Sequence, residues 1–230
     1  MKKVSKRFNE IQKLVNNHLY NPKEGVKLLK QIATAGFNEC AEVHFTLNLN
    51  TKFSDQQLRT TIVLPHGTGQ EPKIALLLPE KKMKSEYRKL VHKSGSDDLI
   101  ELISQNELDF DILISTPDMM PKLAKLGRIL GPRNLMPSIK SGTITEDIET
   151  TIIEFKKGKI EYRSDKAGIV HSRFGKMSFS ENQLLENLTQ FYESITQNKP
   201  GGVKGKYFKS MHICTTMSPS VAINFSGFIQ

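Results

Sequence analysis

The sequence has little cysteine. Its two, Cys40 and Cys214, lie far apart, with no C-x-x-C pair and no neighbouring histidine at zinc-binding spacing. That excludes a disulfide-stapled scaffold and a locally spaced zinc module, and leaves both as small core or strand residues of a chain in a reducing compartment. Long apolar runs are missing too, since none approaches the roughly 18 to 20 residues needed to span a bilayer. The basic start "MKKVSKRFNEIQKLV" is broken by Asn9, Glu10, Gln12 and Lys13 where a signal peptide needs an apolar core. It reads as a helix, and no transit peptide is visible.

The usual marks of enzymes are absent as well. No G-x-x-x-x-G-K-[ST] occurs, and Gly67 and Gly69 in "LPHGTGQ" lack the third glycine of a dinucleotide fingerprint and precede a strand. They read as a glycine hinge at a domain crossing, Gly158 marking the return. The six histidines, His18, His44, His66, His92, His171 and His212, form no H-E-x-x-H. Asp109 and Asp111 in "LDFDILIS" resemble a carboxylate pair but read as the polar lip of a buried strand. No Ser/His/Asp or Cys/His set can be assembled. The expectation is no enzyme, no cofactor, no metal, no membrane and no small-molecule substrate.

What is present is positive charge, a net +9 with a pI near 9.4, which attracts polyanions. Its distribution is uneven. Residues 1–67 hold 10 Lys and Arg against 5 Asp and Glu, residues 68–158 hold 14 against 14, and residues 159–230 hold 9 against 5. If the two ends fold together around a neutral insertion, one domain is a polyanion binder and the other is not.

Periodicity supports that division. Helices are expected at Ser5 to Val15 and at Pro22 to Thr34, the second with Asn21 as N-cap. In "AEVHFTLNL" apolar residues alternate with His44, Thr46 and Asn48, a half-buried strand, and "LRTTIVLP" is expected to be its partner. The middle instead shows "KIALLL" and "FDILIS", short unbroken apolar runs that suit strands covered on both faces. Helical stretches "EKKMKSEYRKLVHK", "SDDLIELISQ" and "PDMMPKLAKL" separate or follow them, which argues for a mostly parallel sheet in three layers. Beyond Gly158 come "KIEYRS" and "GIVHSRF" around a turn at Asp165–Gly168, a helix over Glu181 to Gln197, and strands "GKYFKSMHICTTM" and "SVAINF".

In the basic ends, Arg163, Lys166, His171 and Arg173 surround the hairpin, and Lys204, Lys206 and Lys209 interleave with aromatics in "KGKYFK". Cations attract phosphate and aromatics stack on unpaired bases, a combination suited to structured RNA. The same residues would equally make a solvated charged face. "CTTMSPS" offers Thr215, Thr216 and Ser218 as donors to phosphate or ribose, or is simply a strand end and turn.

The stretch "KLGRILGPRNLMP" resembles the signature of the ribosomal protein L-one family. So do "SDQQLRTTIVLPHGTG", "ELDFDILISTPDMM", "SGTIT", "YRSDKAGIVH" and "GKYFKSMHICTTMSPS", in the family's order over essentially the whole chain. The resemblance implies an α/β protein of two domains: a discontinuous α+β domain from both chain ends, residues 1–67 plus 159–230, and an inserted three-layer Rossmann-like domain, residues 68–158. It implies binding to large-subunit ribosomal RNA, a mobile stalk that assists release of deacylated tRNA from the exit site, and other large-subunit components as partners. Bacterial members also repress their own messenger.

Residue by residue, the resemblance places Phe37, Asp165, Lys166, Gly168, His171, Thr215, Thr216, Met217 and Ser218 against ribosomal RNA; Lys52, Arg59 and Arg133 are expected to face tRNA, with no matching motif behind that expectation. Two positions depart from the pattern. Asn134 and Ser218 stand where the family has glycine; asparagine tolerates the left-handed conformation, whereas a side chain at Ser218 would alter a close backbone approach. Lysine outnumbers arginine 26 to 7, and several motifs are most similar to cyanobacterial and plastid members, so a plastid-encoded protein of the chloroplast stroma is expected, with the bacterial cytoplasm as the alternative.

Overall fold

The computed structural model describes residues 5–16 and 18–228. In chain order its elements are α1 (Lys6–Leu14), α2 (Pro22–Ile32), β1 (Cys40–Leu47), β2 (Arg59–Val63), β3 (Ile74–Leu77), α3 (Ser85–Leu90), β4 (Lys93–Gly95), α4 (Asp97–Ser104), β5 (Ile112–Ser115), α5 (Met120–Ala124), α6 (Gly127–Leu130), α7 (Ile148–Lys157), β6 (Lys159–Arg163), β7 (Ile169–Lys176), α8 (Glu181–Gln197), β8 (Phe208–Thr215) and β9 (Val221–Ile223). They form two compact units, one from the residues up to Gly69 together with those from Ile160 on, the other from Gln70 to Lys159.

In the first unit, β1 lies between β7 and β8 in an antiparallel sheet of order β7-β1-β8-β9. Successive strand residues point to opposite faces. Ala41, Val43, Phe45 and Leu47 of β1 therefore fall on one face, with Val170 and Phe174 of β7 and Met211 and Ile213 of β8, all buried. Helices α2 and α8 cover that face with Val26, Leu29, Ile32, Leu184, Leu188, Phe191 and Ile195. Phe45 stacks on Phe191 with ring centroids 5.7 Å apart. Helix α8 starts at a capping box in which the Ser180 hydroxyl accepts from the Gln183 N–H and the Gln183 side chain accepts from the Ser180 N–H. Asn21 does precede α2, but its side chain makes no capping bond.

One expected pairing is corrected. The sequence pattern makes "LRTTIVLP" the partner of β1, whereas both edges of β1 are taken by β7 and β8, and β2 pairs with β6 in a separate two-stranded sheet. Alternation states which face of a strand is buried but not which neighbour it takes. Packing decides: Leu58, Ile62 and Leu64 enter the same core as Tyr162 of β6. Asn187 of α8, fully buried, holds the nearby chain crossing, accepting from the His66 N–H at 3.1 Å and donating to the carbonyls of Gly67 at 3.0 Å and Phe174 at 2.8 Å.

The second unit is built on a parallel sheet of order β4-β3-β5. Every residue of β3 is buried. Ala75 and Leu77 pack with Leu99, Ile103, Leu123 and Leu130 on one face, while Ile74 and Leu76 pack with Tyr87, Ile148, Ile152 and Phe155 on the other, which makes three layers. "EKKMKSEYRKLVHK" is not one helix: it holds a 3-10 turn at Glu80–Lys82 and the short α3, and Lys93–Gly95 beyond forms β4. A polar three-residue strand leaves no periodic trace, because what recruits it is the main-chain edge of β3. Asp109 and Asp111 are engaged by Lys73: Asp109 binds the Lys73 ammonium and His92, and Asp111 accepts the Lys73 N–H at 2.9 Å. Those hydrogen bonds hold the Asp109 carboxyl down at about 2. The turn after α6 survives its asparagine, since Asn134 takes φ 57°, the left-handed conformation expected of it.

Candidate nucleic-acid interface

The sheet of the first unit has a second face, which the helices leave open. Cys40, Glu42, His44 and Thr46 of β1 alternate onto it and are half-buried. Register sets them in rows: Arg173, Glu42 and Cys214; His171, His44 and His212; Ile169, Thr46 and Ser210. Polar groups there are close enough to bond one another. His44 Nδ1 lies 2.8 Å from His171 Nδ1, and His44 Nε2 lies 3.2 Å from Cys214 Sγ. Burial first, then the neighbouring His171 and His212, lower the His44 pKa, so its imidazole favours the neutral form.

Where β8 ends, a loop is organised by one carboxylate. Glu39 is 1% exposed and accepts from the Thr215 hydroxyl at 2.6 Å, the Met217 N–H at 2.9 Å and the Ala35 N–H at 3.1 Å. Burial pushes its pKa up, but these three bonds and the charge of Arg7 outweigh it and hold the group below its ordinary value. Arg7 also donates to the Met217 carbonyl and to the Thr34 hydroxyl, both at 3.3 Å. Glu39 thus joins the loop after α2, which carries Phe37, to the loop after β8, which carries Met217. Phe37 is 55% exposed and Met217 48% exposed, large apolar side chains held out from a rigid base.

The hairpin between β6 and β7 is equally fixed. Asp165 accepts from the N–H groups of Ala167 at 2.9 Å and Ile169 at 2.7 Å. Burial pushes the Asp165 pKa up, yet these bonds and the nearby His171, with Nε2 3.6 Å from an Asp165 oxygen, lower it overall. Gly168 sits at φ 79°, and an added Cβ would lie 3.2 Å from the Leu47 carbonyl oxygen, so this position requires glycine. The Thr51 hydroxyl donates to the Lys166 carbonyl at 2.7 Å and so ties the loop carrying Lys52 to the hairpin.

The residues expected from sequence therefore fall into distinct places. Asp165, Lys166, His171, Thr216, Met217 and Phe37 are exposed on the first unit, and Gly168 shapes its hairpin. Thr215 is not at the surface: it is 2% exposed and its hydroxyl is committed to Glu39, so it supports the loop from below. The Thr216 oxygen accepts from the Cys40 N–H at 3.1 Å. Ser218, in place of glycine, adopts no left-handed φ, and its hydroxyl accepts from the Thr215 N–H at 2.9 Å, closing the turn. Lys52 adjoins the hairpin, whereas Arg59 binds Glu161 beside it on the β2–β6 sheet. Arg133 is exposed in the second unit. Sequence reasoning missed Glu39 and Arg7, which are tied to Thr215 and Met217 from 176 to 210 positions away, and His212, for which only strand alternation was a signal.

Comparison with known proteins agrees with these motifs. The family model described as "Ribosomal protein L1p/L10e family" matches residues 29–219. The chain is 52% identical over 230 residues, the full length of both proteins, to "Large ribosomal subunit protein uL1c" of Trieres chinensis. It is 54% identical to the uL1c of Guillardia theta and 50% identical to "Large ribosomal subunit protein uL1" of Synechococcus sp. (strain WH7803), in each case over 99% of this chain and 97% of the relative. A model match over most of the chain and half-identity from end to end leave one conclusion: the chain belongs to the ribosomal protein L1p/L10e family.

Proposed function

We propose that this protein is a structural constituent of the large ribosomal subunit that grips a folded segment of large-subunit ribosomal RNA and helps form the mobile stalk through which deacylated tRNA leaves the exit site. The family is one of structural, non-enzymatic ribosomal components, and the chain is not an enzyme. In this reading the first unit is the RNA-binding domain and the second an insertion into it. The observation that carries the proposal is the open polar sheet face of the first unit, bounded by the Glu39-braced loops with Phe37 and Met217 and by the hairpin with Lys166 and His171.

Physically, such a surface suits RNA because its parts do different work. Lysines and arginines of the first unit neutralise phosphates and supply salt-dependent affinity. Rigid loops and the apolar faces of Phe37 and Met217 select a particular RNA shape. Thr216, Ser218 and the hairpin lie within the same surface. Contact of Lys52, Arg59 and Arg133 with tRNA belongs to this proposal, as does location in the stroma of a plastid that encodes the protein; the uL1c relatives support that location, while the uL1 of Synechococcus fits the alternative, the bacterial cytoplasm.

The test is binding of the full chain to the stalk-base fragment of large-subunit RNA and to an equally long unrelated hairpin, at several salt concentrations. A preference of about a hundredfold, about 2.7 kcal/mol, that persists as salt rises is expected. Equal affinities that fall together would reduce the site to a generic basic surface. Control of the protein's own messenger through the same surface is the second reading, favoured by one outcome, a chain found mostly off ribosomes in a sucrose gradient.

A further inference from the structure

The structure assigns a transition-metal site to the open sheet face, with Glu42, His44 and Cys214 as ligands for a divalent ion of the zinc class. One donor atom from each lies within 4.8 Å of the others, and His44 Nε2 and Cys214 Sγ are already 3.2 Å apart. Bonds of about 2.0–2.3 Å in a tetrahedral array place donors about 3.3–3.7 Å from one another, so the pair needs only a small outward shift and the carboxylate a rotamer adjustment. One thiol, one imidazole and one carboxylate form a donor set for a borderline ion, rather than the all-oxygen set of magnesium or calcium. All three side chains are half-buried.

The surrounding contacts are compatible with the form of His44 that a ligand needs, in one of the two tautomers they allow. With the Cys214 thiol donating to His44 Nε2, His44 carries its proton on Nδ1 and donates to His171 Nδ1 at 2.8 Å. His171 then carries its own proton on Nε2, which faces the Asp165 carboxylate at 3.6 Å. A metal-binding imidazole is oriented by a partner on its second ring nitrogen; here that partner is His171, which itself faces Asp165. On metal binding the ion takes the place of the thiol proton: the sulfur–hydrogen bond is lost, the proton leaves to solvent, and sulfur and Nε2 each direct a lone pair at the ion. Strand register holds the parts together, since Glu42 pairs with Cys214, and His44 with both His171 and His212. No local spacing in the sequence could show this set, because Cys214 comes from the far end of the chain.

The site stands without the RNA reading. One consequence does rest on that reading: the ion and RNA share a face, so each alters the affinity of the other by the same factor.

The test is titration of the reduced full chain with zinc against a competing chelator, and with cobalt followed by absorption, both in the absence of RNA. One equivalent should bind, with a thiolate-to-cobalt charge-transfer band. Cys214→Ser should abolish the band and weaken zinc binding at least tenfold, while Cys40→Ser keeps both. His171 is a positioning residue; His171→Ala should lower affinity about 10- to 100-fold and leave the band in place. No band in the unmodified chain, a band that survives Cys214→Ser, or one lost in Cys40→Ser would overturn the assignment. X-ray absorption of the zinc-loaded unmodified chain decides the matter should Cys214→Ser not fold: one sulfur and at least one imidazole neighbour are expected, and a shell of light atoms without sulfur refutes the site.

Discussion

Replacing Glu39 with glutamine keeps the side chain's shape and removes its charge, which makes it the sharpest probe of the braced loops. The carboxylate is 1% exposed, and its two oxygens take three donors, the Thr215 hydroxyl, the Met217 N–H and the Ala35 N–H. An amide has only one acceptor oxygen. If that oxygen keeps Thr215 and Met217, the amide NH2 faces the Ala35 N–H, one bond is lost, and two donors oppose each other at a cost of about 1–3 kcal/mol. The two surviving bonds fall from the charge-assisted range to the neutral one, about 0.5–1 kcal/mol each. Relief from burying a charge returns part of this. The net expectation is a loss of about 2–3 kcal/mol in urea unfolding, well above the roughly 0.5 kcal/mol of an ordinary surface change.

The pH dependence gives an independent check. The Glu39 pKa is lowered from its ordinary 4.5 in the folded protein, so the stability it contributes is fully present above that value and disappears as pH falls through the depressed folded pKa. Glu39→Gln lacks this contribution, and the stability gap between the two proteins should narrow as pH falls below 4.5. A variant within about 0.5 kcal/mol of the original at pH 7, or a gap independent of pH, would refute the claim that this carboxylate organises the junction.

Other residues give further tests. Asn187→Ala strips three main-chain partners from a fully buried amide and should cost about 2–4 kcal/mol in urea unfolding; a loss under about 1 kcal/mol would mean that water replaces it. Gly168→Ala forces a side chain into φ 79° and towards the Leu47 carbonyl, for about 1–2 kcal/mol, read as a lower Tm; an unchanged Tm would show that the hairpin relaxes. Thr216→Val removes the acceptor for the Cys40 N–H, which should lower stability by about 1 kcal/mol and RNA affinity by about 1–3 kcal/mol; an unaltered RNA affinity would remove Thr216 from the surface.

Much of the architecture is legible residue by residue. Alternation in "AEVHFTLNL" marks β1 and which of its faces is buried, and the unbroken apolar runs mark β3 and β5 as strands covered on both sides. The helix expected over Glu181 to Gln197 is found with those bounds as α8. Less legible is the part that depends on edges: β4 has only polar residues and glycine, and β2 pairs with β6 rather than β1. The same holds at the candidate site. Thr215 and Thr216 are adjacent and chemically identical, yet one is buried under the loop and the other is exposed.

By itself, then, the sequence determined the local elements, the excess of positive charge at both ends and the family, because periodicity, capping and long ordered motifs are properties of neighbouring residues. Only the tertiary structure decided which strands meet, which threonine faces out, and that Glu39 joins loops from opposite ends of the chain while Glu42 and His44 come to lie beside Cys214. Those relations depend on sheet order and register, which place together residues separated by as many as 178 positions, and no property of nearby residues encodes them.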